Sequence, residues 1–310
     1  MKKKKYILEE FSFFIAKVLK RLPINEKIKI KFNKKRHSRI NQQLQSLFEL
    51  SLSEAKKQNK KNSNKALKNS KIIWFFWWQG KKNMPSLVRA CYNSLQENSS
   101  DGKVILITQK NYSKYTDISP EILTLLKNKK ITLTHFSDIL RFNLLKNYGG
   151  LWLDATIFVN KPITKKYFQS LFTCSGYDDN NYFFVTKGNW CGFLIGGTKN
   201  NILFTFMDIF FKNYWKENTK IIDYFLIDYA LNYAWEHNLG HFRDYTKDNL
   251  GKNNPFLFDL APKLNAKFEE KKWQEIQKNT EMYKLSYKIK LVKSKDTFYN
   301  KIVNPMGGKE

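Results

Sequence analysis

Two carboxylates, a guanidinium and an indole fall within one short stretch, FSDILRFNLLKNYGGLWLDATIFV, residues 136–159. Asp138 and Arg141 stand three apart, which on a helix puts them on one face. Ser137 suits an N-cap, and Ile139, Phe142 and Leu145 recur at helical spacing over 138–147. Gly149 and Gly150 then end the helix and permit tight entry into a strand. From Leu151 to Val159 the odd positions are all apolar, so strict alternation places Trp152, Asp154 and Thr156 on one face. An Asp inside so apolar a strand is costly unless it meets a cation or several donors, which makes Asp154 a ligand candidate. Taken singly, each residue has a plainer reading. Asp138 and Arg141 fit a surface ion pair, Trp152 fits a core, and Asp154 fits a buried carboxylate paired with Arg141. Their conjunction shifts the balance, because one helix–Gly-Gly–strand unit supplies the whole set.

The elements around this unit alternate. Ile72 to Trp78 (IIWFFWW) is apolar at both parities, as in a central parallel strand covered on both faces. A helix over Ser86–Glu97 follows, then a strand over Lys103–Thr108, a helix over Pro120–Lys127 and a strand over Ile131–Phe136. This order predicts an α/β layered domain with ligands at the carboxyl ends of its strands. No Gly-x-Gly-x-x-Gly follows the first strand and no Walker-type loop is present, which weakens dinucleotide and ATP-loop readings.

Composition narrows the class further. The chain has 310 residues, 42% of them hydrophobic, enough for a sizeable core. Aromatic residues make up 16% of the chain. Three cysteines, odd in number and without metal spacing, argue against a disulfide framework and fit a reducing compartment. The formal net charge is +28, and residues 1–70 hold 20 Lys and Arg against 5 Asp and Glu. Such an arm seeks an anionic partner. Leu8, Phe11, Ile15, Val18, Leu19 and Leu22 recur at helical spacing beneath a basic face begun by Lys2–Lys5, the pattern of an amphipathic helix on anionic lipid, the plainer alternative being a helix packed on the catalytic body with its lysines solvated. A second amphipathic helix runs through Leu44, Leu47, Phe48 and Leu52, and 56–70 reads as a linker or a solvated helix end. Charges interrupt the N-terminal apolar stretch, so neither a membrane span nor a signal peptide is expected.

Ser137-Asp138-x-x-Arg141 followed by Gly149-Gly150-x-Trp152-x-Asp154-x-Thr156 resembles the donor-site signature of family 32 GT-A glycosyltransferases. The capsular-polysaccharide-synthesis branch is the nearest likeness, and the large clostridial glucosylating toxins are more distant relatives. Trp78-x-Gly80, Asp223 to Tyr229 and Tyr283 to Lys288 resemble weaker features of that branch, so the likeness covers roughly 72–290. It implies a single GT-A-like (Rossmann-like) α/β catalytic domain with a central mostly parallel sheet over 71–295. A basic helical arm (1–70) precedes it and a short tail (296–310) follows. It further implies a nucleotide-sugar donor, UDP-linked in most members, and transfer with retention of configuration. Asp154 sits at the first position of the usual Asp-x-Asp, whose carboxylates hold Mn²⁺ or Mg²⁺ on the donor diphosphate, and Thr156 replaces the second Asp. By the same likeness Asp138 and Arg141 hold sugar hydroxyls, Trp78 stacks on the nucleobase, and Trp152 lines the donor pocket.

Other residues are more open. Trp190–Gly197 is read as a buried strand, the alternative being a strand and loop near the acceptor. Asp223 and Asp228 could face the cleft, His237 and His241 are more plausibly solvated than ligating, and Lys284, Ser286 and Lys288 could close over the diphosphate. The expected protein is a cytoplasmic sugar transferase held on the inner face of the membrane. There it would extend a polyprenyl-diphosphate-linked oligosaccharide for capsule or exopolysaccharide. The alternatives are a protein-modifying transferase and a non-enzymatic nucleic-acid binder, the latter without a recognised module.

Overall fold

The computed structural model describes residues 2–62, 70–177, 179–292 and 294–305. Two helices come first, α1 (Lys2–Arg21) and α2 (Glu26–Asn62). The sheet unit follows as β1 (Ile72–Phe76), α3 (Ser86–Glu97), β2 (Lys103–Ile107), α4 (Pro120–Lys127), α5 (Leu133–Tyr148) and β3 (Gly150–Leu153). After it come β4 (Ile157–Val159), β5 (Leu171–Thr173), β6 (Leu194–Gly197), α6 (Ile202–Glu217), α7 (Leu226–Glu236), α8 (Phe242–Asp248), α9 (Glu270–Ile276) and β7 (Met282–Lys284).

The central sheet has the order β2-β1-β3-β6-β5, with β1 parallel to β2 and β3, and with β6 antiparallel to both β3 and β5. Four of its five strands therefore run the same way. Alternation sorts the side chains of β1 between two cores. Trp74 and Phe76 join Trp152, Ile195 and the large helices on one face, and Ile73 and Phe75 join Leu151, Leu153 and Val88 of α3 on the other. A strand covered on both faces needs apolar residues at both parities, as β1 has.

The turn from α5 into β3 depends on its glycines. Gly149 and Gly150 have φ of 68° and 94°, a region that L side chains rarely adopt. A Cβ on Gly149 would collide with the backbone at Gly197–Lys199, and one on Gly150 with the Ile72 carbonyl. The Trp74 indole N–H donates to the Gly149 carbonyl at 2.9 Å, pinning the turn to the neighbouring strand.

Four expectations are corrected. Ile131–Phe136 is no strand, because Thr132 caps α5 by accepting from the His135 N–H, and the helix starts five residues before the expected point. Ser137 accordingly lies inside the helix. The strand expected through Val159 breaks at Asp154, where the Ile157 N–H bonds back to the Asp154 carbonyl at 2.9 Å. Beyond that turn β4 leaves the central sheet and pairs with β7. The helices α1 and α2 are not an arm apart from the body, since Tyr6 and Ala16 of α1 and Ile40, Leu44, Leu47, Phe48 and Leu52 of α2 belong to the main core. Nor is the segment from 296 a loose tail: Phe298, Tyr299 and Val303 are buried in a third cluster with α9 and Tyr283. Of the segment 56–70, residues 56–62 are the end of α2 rather than a linker, and 63–69 lie outside the described residues, as do the side chains of Lys2–Lys5 and residues 306–310.

Candidate functional site

Asp154 occupies the position where β3 ends and the chain changes sheets. Its own N–H donates to the Phe193 carbonyl at 2.9 Å, which ties it to the approach to β6. One carboxylate oxygen, Oδ1, accepts from Trp152 Nε1 at 2.9 Å and from Arg141 Nη2 at 3.0 Å. The other, Oδ2, accepts from Lys284 Nζ at 2.9 Å. Lys284 is delivered by the small sheet, where it stands in register with Ile157. Arg141 reaches back to Asp138 Oδ1 with Nη1 at 3.1 Å, completing the run Asp138–Arg141–Asp154–Lys284. The guanidinium carbon lies 5.1 Å from the Trp152 ring centre, and the Lys284 ammonium 4.5 Å from that of Phe193. Gly192 leaves room for the fork, because a Cβ there would come to 3.4 Å of Arg141 Nη1.

The carboxylates are held in different protonation ranges. Burial raises the Asp154 pKa, but Lys284 and then Arg141 outweigh it and hold this carboxyl below its usual range. Burial pushes Asp138 up to about 7; Arg141 opposes that rise, while Asp154 and Asp228 add to it. Asp228, at the start of α7, is likewise pushed up to about 7 by burial. Trp190 faces Asp228 and lowers its pKa, although the indole N–H makes no hydrogen bond of normal geometry. His135 is fully enclosed and its pKa falls to about 3, so the ring is neutral. Its Nε2 accepts from Trp215 at 3.0 Å, which puts the proton on Nδ1, 3.8 Å from Asp138 Oδ2.

These groups open into a cavity of about 670 Å³ that is lined by Asp138, Arg141, Asp154, Asp228 and Lys284 and walled by aromatic rings, among them Tyr177, Phe193 and Tyr224. A second cavity, about 950 Å³, is bounded by Trp78, Tyr112 and α4. Thr132, the N-cap of α5, lines both. Trp78 is half-buried, with Tyr112 at 5.4 Å and Phe136 edge-on at 5.5 Å.

The structure therefore brings Asp138, Arg141, Asp154, Asp228 and Lys284 together and places Trp78 in the adjoining cavity. It separates others. Trp152 is 1% exposed and does not line the pocket; it orients Asp154 from beneath. Thr156 is buried beyond the turn and off the cavity wall, and its carbonyl accepts from the Leu285 N–H at 2.8 Å. Ser286 and Lys288 likewise do not line the cavity, and Lys288 is exposed. Asp223 touches the cavity but forms a buried ion pair with Arg36 of α2. His237 is exposed and bonds the Tyr233 carbonyl, and His241 is exposed beside Asp244. Trp190 to Phe193 form cavity wall before β6 begins, so that segment is wall and strand in succession. Sequence reasoning missed Tyr177, Tyr224 and the α1 residues Glu9, Glu10 and Phe13, all of which line the cavity.

Among the described residues no three His, Cys, Asp or Glu side chains gather into a metal cage. Asp154 lines the cavity and could hold a divalent ion, although Lys284 already takes one site on its Oδ2. Mg²⁺ and Mn²⁺ are commonly held by one or two carboxylates plus substrate phosphates, so this donor set suits an ion arriving with a diphosphate rather than a resident one. Thr156, off the wall, does not contribute to it.

Among the described residues no helix is long and apolar enough to cross a membrane. Part of the chain is similar to the O-glycosyltransferase braB of Annulohypoxylon truncatum, 33% identical over 104 residues. That alignment covers 31% of this chain and 25% of the relative. The model of the family described as capsular polysaccharide synthesis protein matches residues 20–302. The match begins in α1, includes all of α2 and ends in the packed segment after β7, so the family likeness extends beyond 72–290 in both directions. With the sheet and the Asp154 cluster inside the matched span, the chain belongs to the capsular polysaccharide synthesis protein family.

Proposed function

We propose that the protein is a retaining glycosyltransferase that moves a sugar from a UDP-linked donor to a lipid-linked oligosaccharide acceptor. The observation that carries this reading is the run Asp138–Arg141–Asp154–Lys284 at the carboxyl end of a parallel strand, on the wall of the first cavity. Ligands of open α/β sheets sit at such ends. The nucleobase goes against Trp78 in one cavity, the sugar goes beside Asp138 and Asp228 in the other, and the diphosphate crosses between them.

The chain's own residues account for most of the chemistry. Arg141 is 3% exposed and both its terminal nitrogens are engaged, so it fixes the two carboxylates while they accept the sugar hydroxyls. Lys284 is a mobile point charge that can turn from Asp154 to a diphosphate oxygen. An oriented cation at the place where negative charge develops lowers the barrier to departure of the nucleoside diphosphate. A divalent ion held by Asp154 would add neutralising charge at the same oxygens. The aromatic walls suit the apolar faces of sugar rings.

Melting temperature with added UDP, GDP or CMP tests the donor assignment. UDP should raise it, and Trp78→Ala should remove most of that rise when each protein is compared with its own nucleotide-free melting temperature, which the variant's lost packing lowers. No rise with any of the three, or an equal rise in the variant, would overturn the assignment.

A further inference from the structure

The first helix is amphipathic in the reverse of the usual sense for a helix packed on a protein. Its inward face carries Glu9, which is fully buried and accepts from Arg39 Nε at 2.9 Å, Arg39 Nη2 at 2.6 Å and Gln43 Nε2 at 2.7 Å. Tyr6 donates to Asn218 Oδ1 at 2.7 Å, and Phe13 stacks near Phe183 and Tyr224. These contacts fix the rotation of α1 about its axis. The face turned to solvent then bears Ile7, Leu8, Phe11, Phe14, Val18 and, just past the helix end, Leu22, each between 39% and 61% exposed. Residues 7, 11, 14 and 18 fall at helical spacing, so they form one continuous stripe rather than scattered singles. Rolling α1 over would cover that stripe but pull Glu9 away from Arg39 and Gln43, leaving their donors without the carboxylate. The buried polar network selects the outward-apolar orientation.

The charge around the stripe identifies its occupant. Lys17 and Arg21 on α1 and Lys27 and Lys31 on α2 are exposed, and Ile28 between the last two is 56% exposed. An apolar ridge set among bases suits a bilayer that offers acyl chains to the ridge and anionic headgroups to the bases. A second copy of this chain would bring the same bases together and meet repulsion. The opposite flank of the same helix, through Glu9, Glu10 and Phe13, is a wall of the site cavity.

We infer that the outward face of α1 docks on an anionic lipid bilayer and that the helix thereby sets the cavity beside the membrane surface. This deepens the transferase reading by explaining how a lipid-linked acceptor reaches the site. The docking itself is measured without any donor, so its failure and the failure of that reading are separable.

The test is flotation of the full chain with phosphatidylcholine vesicles and with vesicles that also contain phosphatidylglycerol. The wild type should float with the anionic vesicles and far less with the neutral ones. The double variant Phe11→Ser/Phe14→Ser should lose ~10-fold or more of its partitioning, since two inserted rings are removed. Its melting temperature should not fall, because neither ring packs on the body. Lys17→Glu/Arg21→Glu should lose binding to anionic vesicles while keeping the weak binding to neutral ones. Hydrolysis of a nucleotide sugar in solution should be unchanged in both variants. Equal flotation of wild type and Phe11→Ser/Phe14→Ser would overturn the inference, as would absence of flotation by the wild type. So would a wild-type dimer in sedimentation that the same substitutions convert to monomer, since the stripe would then be a contact between copies.

Discussion

Lys284→Met removes the ammonium beside Asp154 and keeps an unbranched side chain of similar reach. Lys284 Nζ lies 2.9 Å from Asp154 Oδ2, and the two side chains are 16% and 27% exposed. A charged hydrogen bond contributes ~1.5–3 kcal/mol, and partial solvation puts this pair at the lower end of that range. Asp154 keeps Arg141 and Trp152, so the variant should fold, with a melting temperature lower by only a few degrees at ~2 °C per kcal/mol. If Lys284 faces the diphosphate, the loss in turnover is of another order. An oriented donor of this kind is worth ~2.7–4 kcal/mol, or ~10²–10³ in kcat. Release of free sugar from the nucleotide sugar, followed beside thermal unfolding of the same preparation, separates the two effects. Lys284→Arg should restore part of kcat because it returns the charge with different geometry. The reasoning is refuted if Lys284→Met keeps kcat within about twofold of wild type, since the lysine would then be a structural partner of Asp154 only.

Other consequences follow from the same geometry. Asp138 and Asp228 are both raised to about 7, so between roughly pH 4 and 7 the unfolded chain has given up protons that the folded chain retains. Stability should therefore fall as pH rises through that window and level off above it, and Asp138→Asn/Asp228→Asn should flatten the slope of melting temperature against pH. The Arg36–Asp223 side chains are 1% and 0% exposed, so Asp223→Asn, leaving the guanidinium without its partner, should cost ~3–5 kcal/mol in denaturant unfolding. Arg36→Met/Asp223→Leu should recover most of that loss, and a single variant as stable as wild type would contradict the pairing.

Local signals in the chain locate most elements of the sheet unit. α3 and α4 have the expected boundaries, and β1 and β2 differ from expectation only at their ends, because each is a short run with clear Gly or Pro punctuation. The stretch at Ile131–Phe136 misleads because its β-branched residues suit a strand in isolation, whereas Thr132 serves as a helix cap and tertiary packing of Phe136 completes the first turn. Alternation through 151–159 is genuine, yet alternation cannot register that one half pairs with β6 and the other with β7. For that reason Thr156, two residues from Asp154, is absent from the cavity wall, and Lys284, 130 residues away, meets the carboxylate. The apolar stripe of α1 is legible as a stripe, but its outward direction depends on Glu9 finding Arg39, a pairing that no local pattern encodes. The segment after 296 lacks periodicity, and its burial follows from Phe298 and Val303 reaching the third cluster.

The central claim is that Asp154 organises a nucleotide-sugar site, and the most direct measurement is sugar release from a panel of UDP-, GDP- and CMP-sugars by wild type and Asp154→Asn. The asparagine keeps the shape and removes the charge that holds Lys284 and Arg141 in place. The account predicts that the wild type consumes a UDP-sugar and that the variant, folded by circular dichroism, falls by ~10² or more. A wild type that consumes none of the panel, or an Asp154→Asn protein as active as wild type, would contradict it.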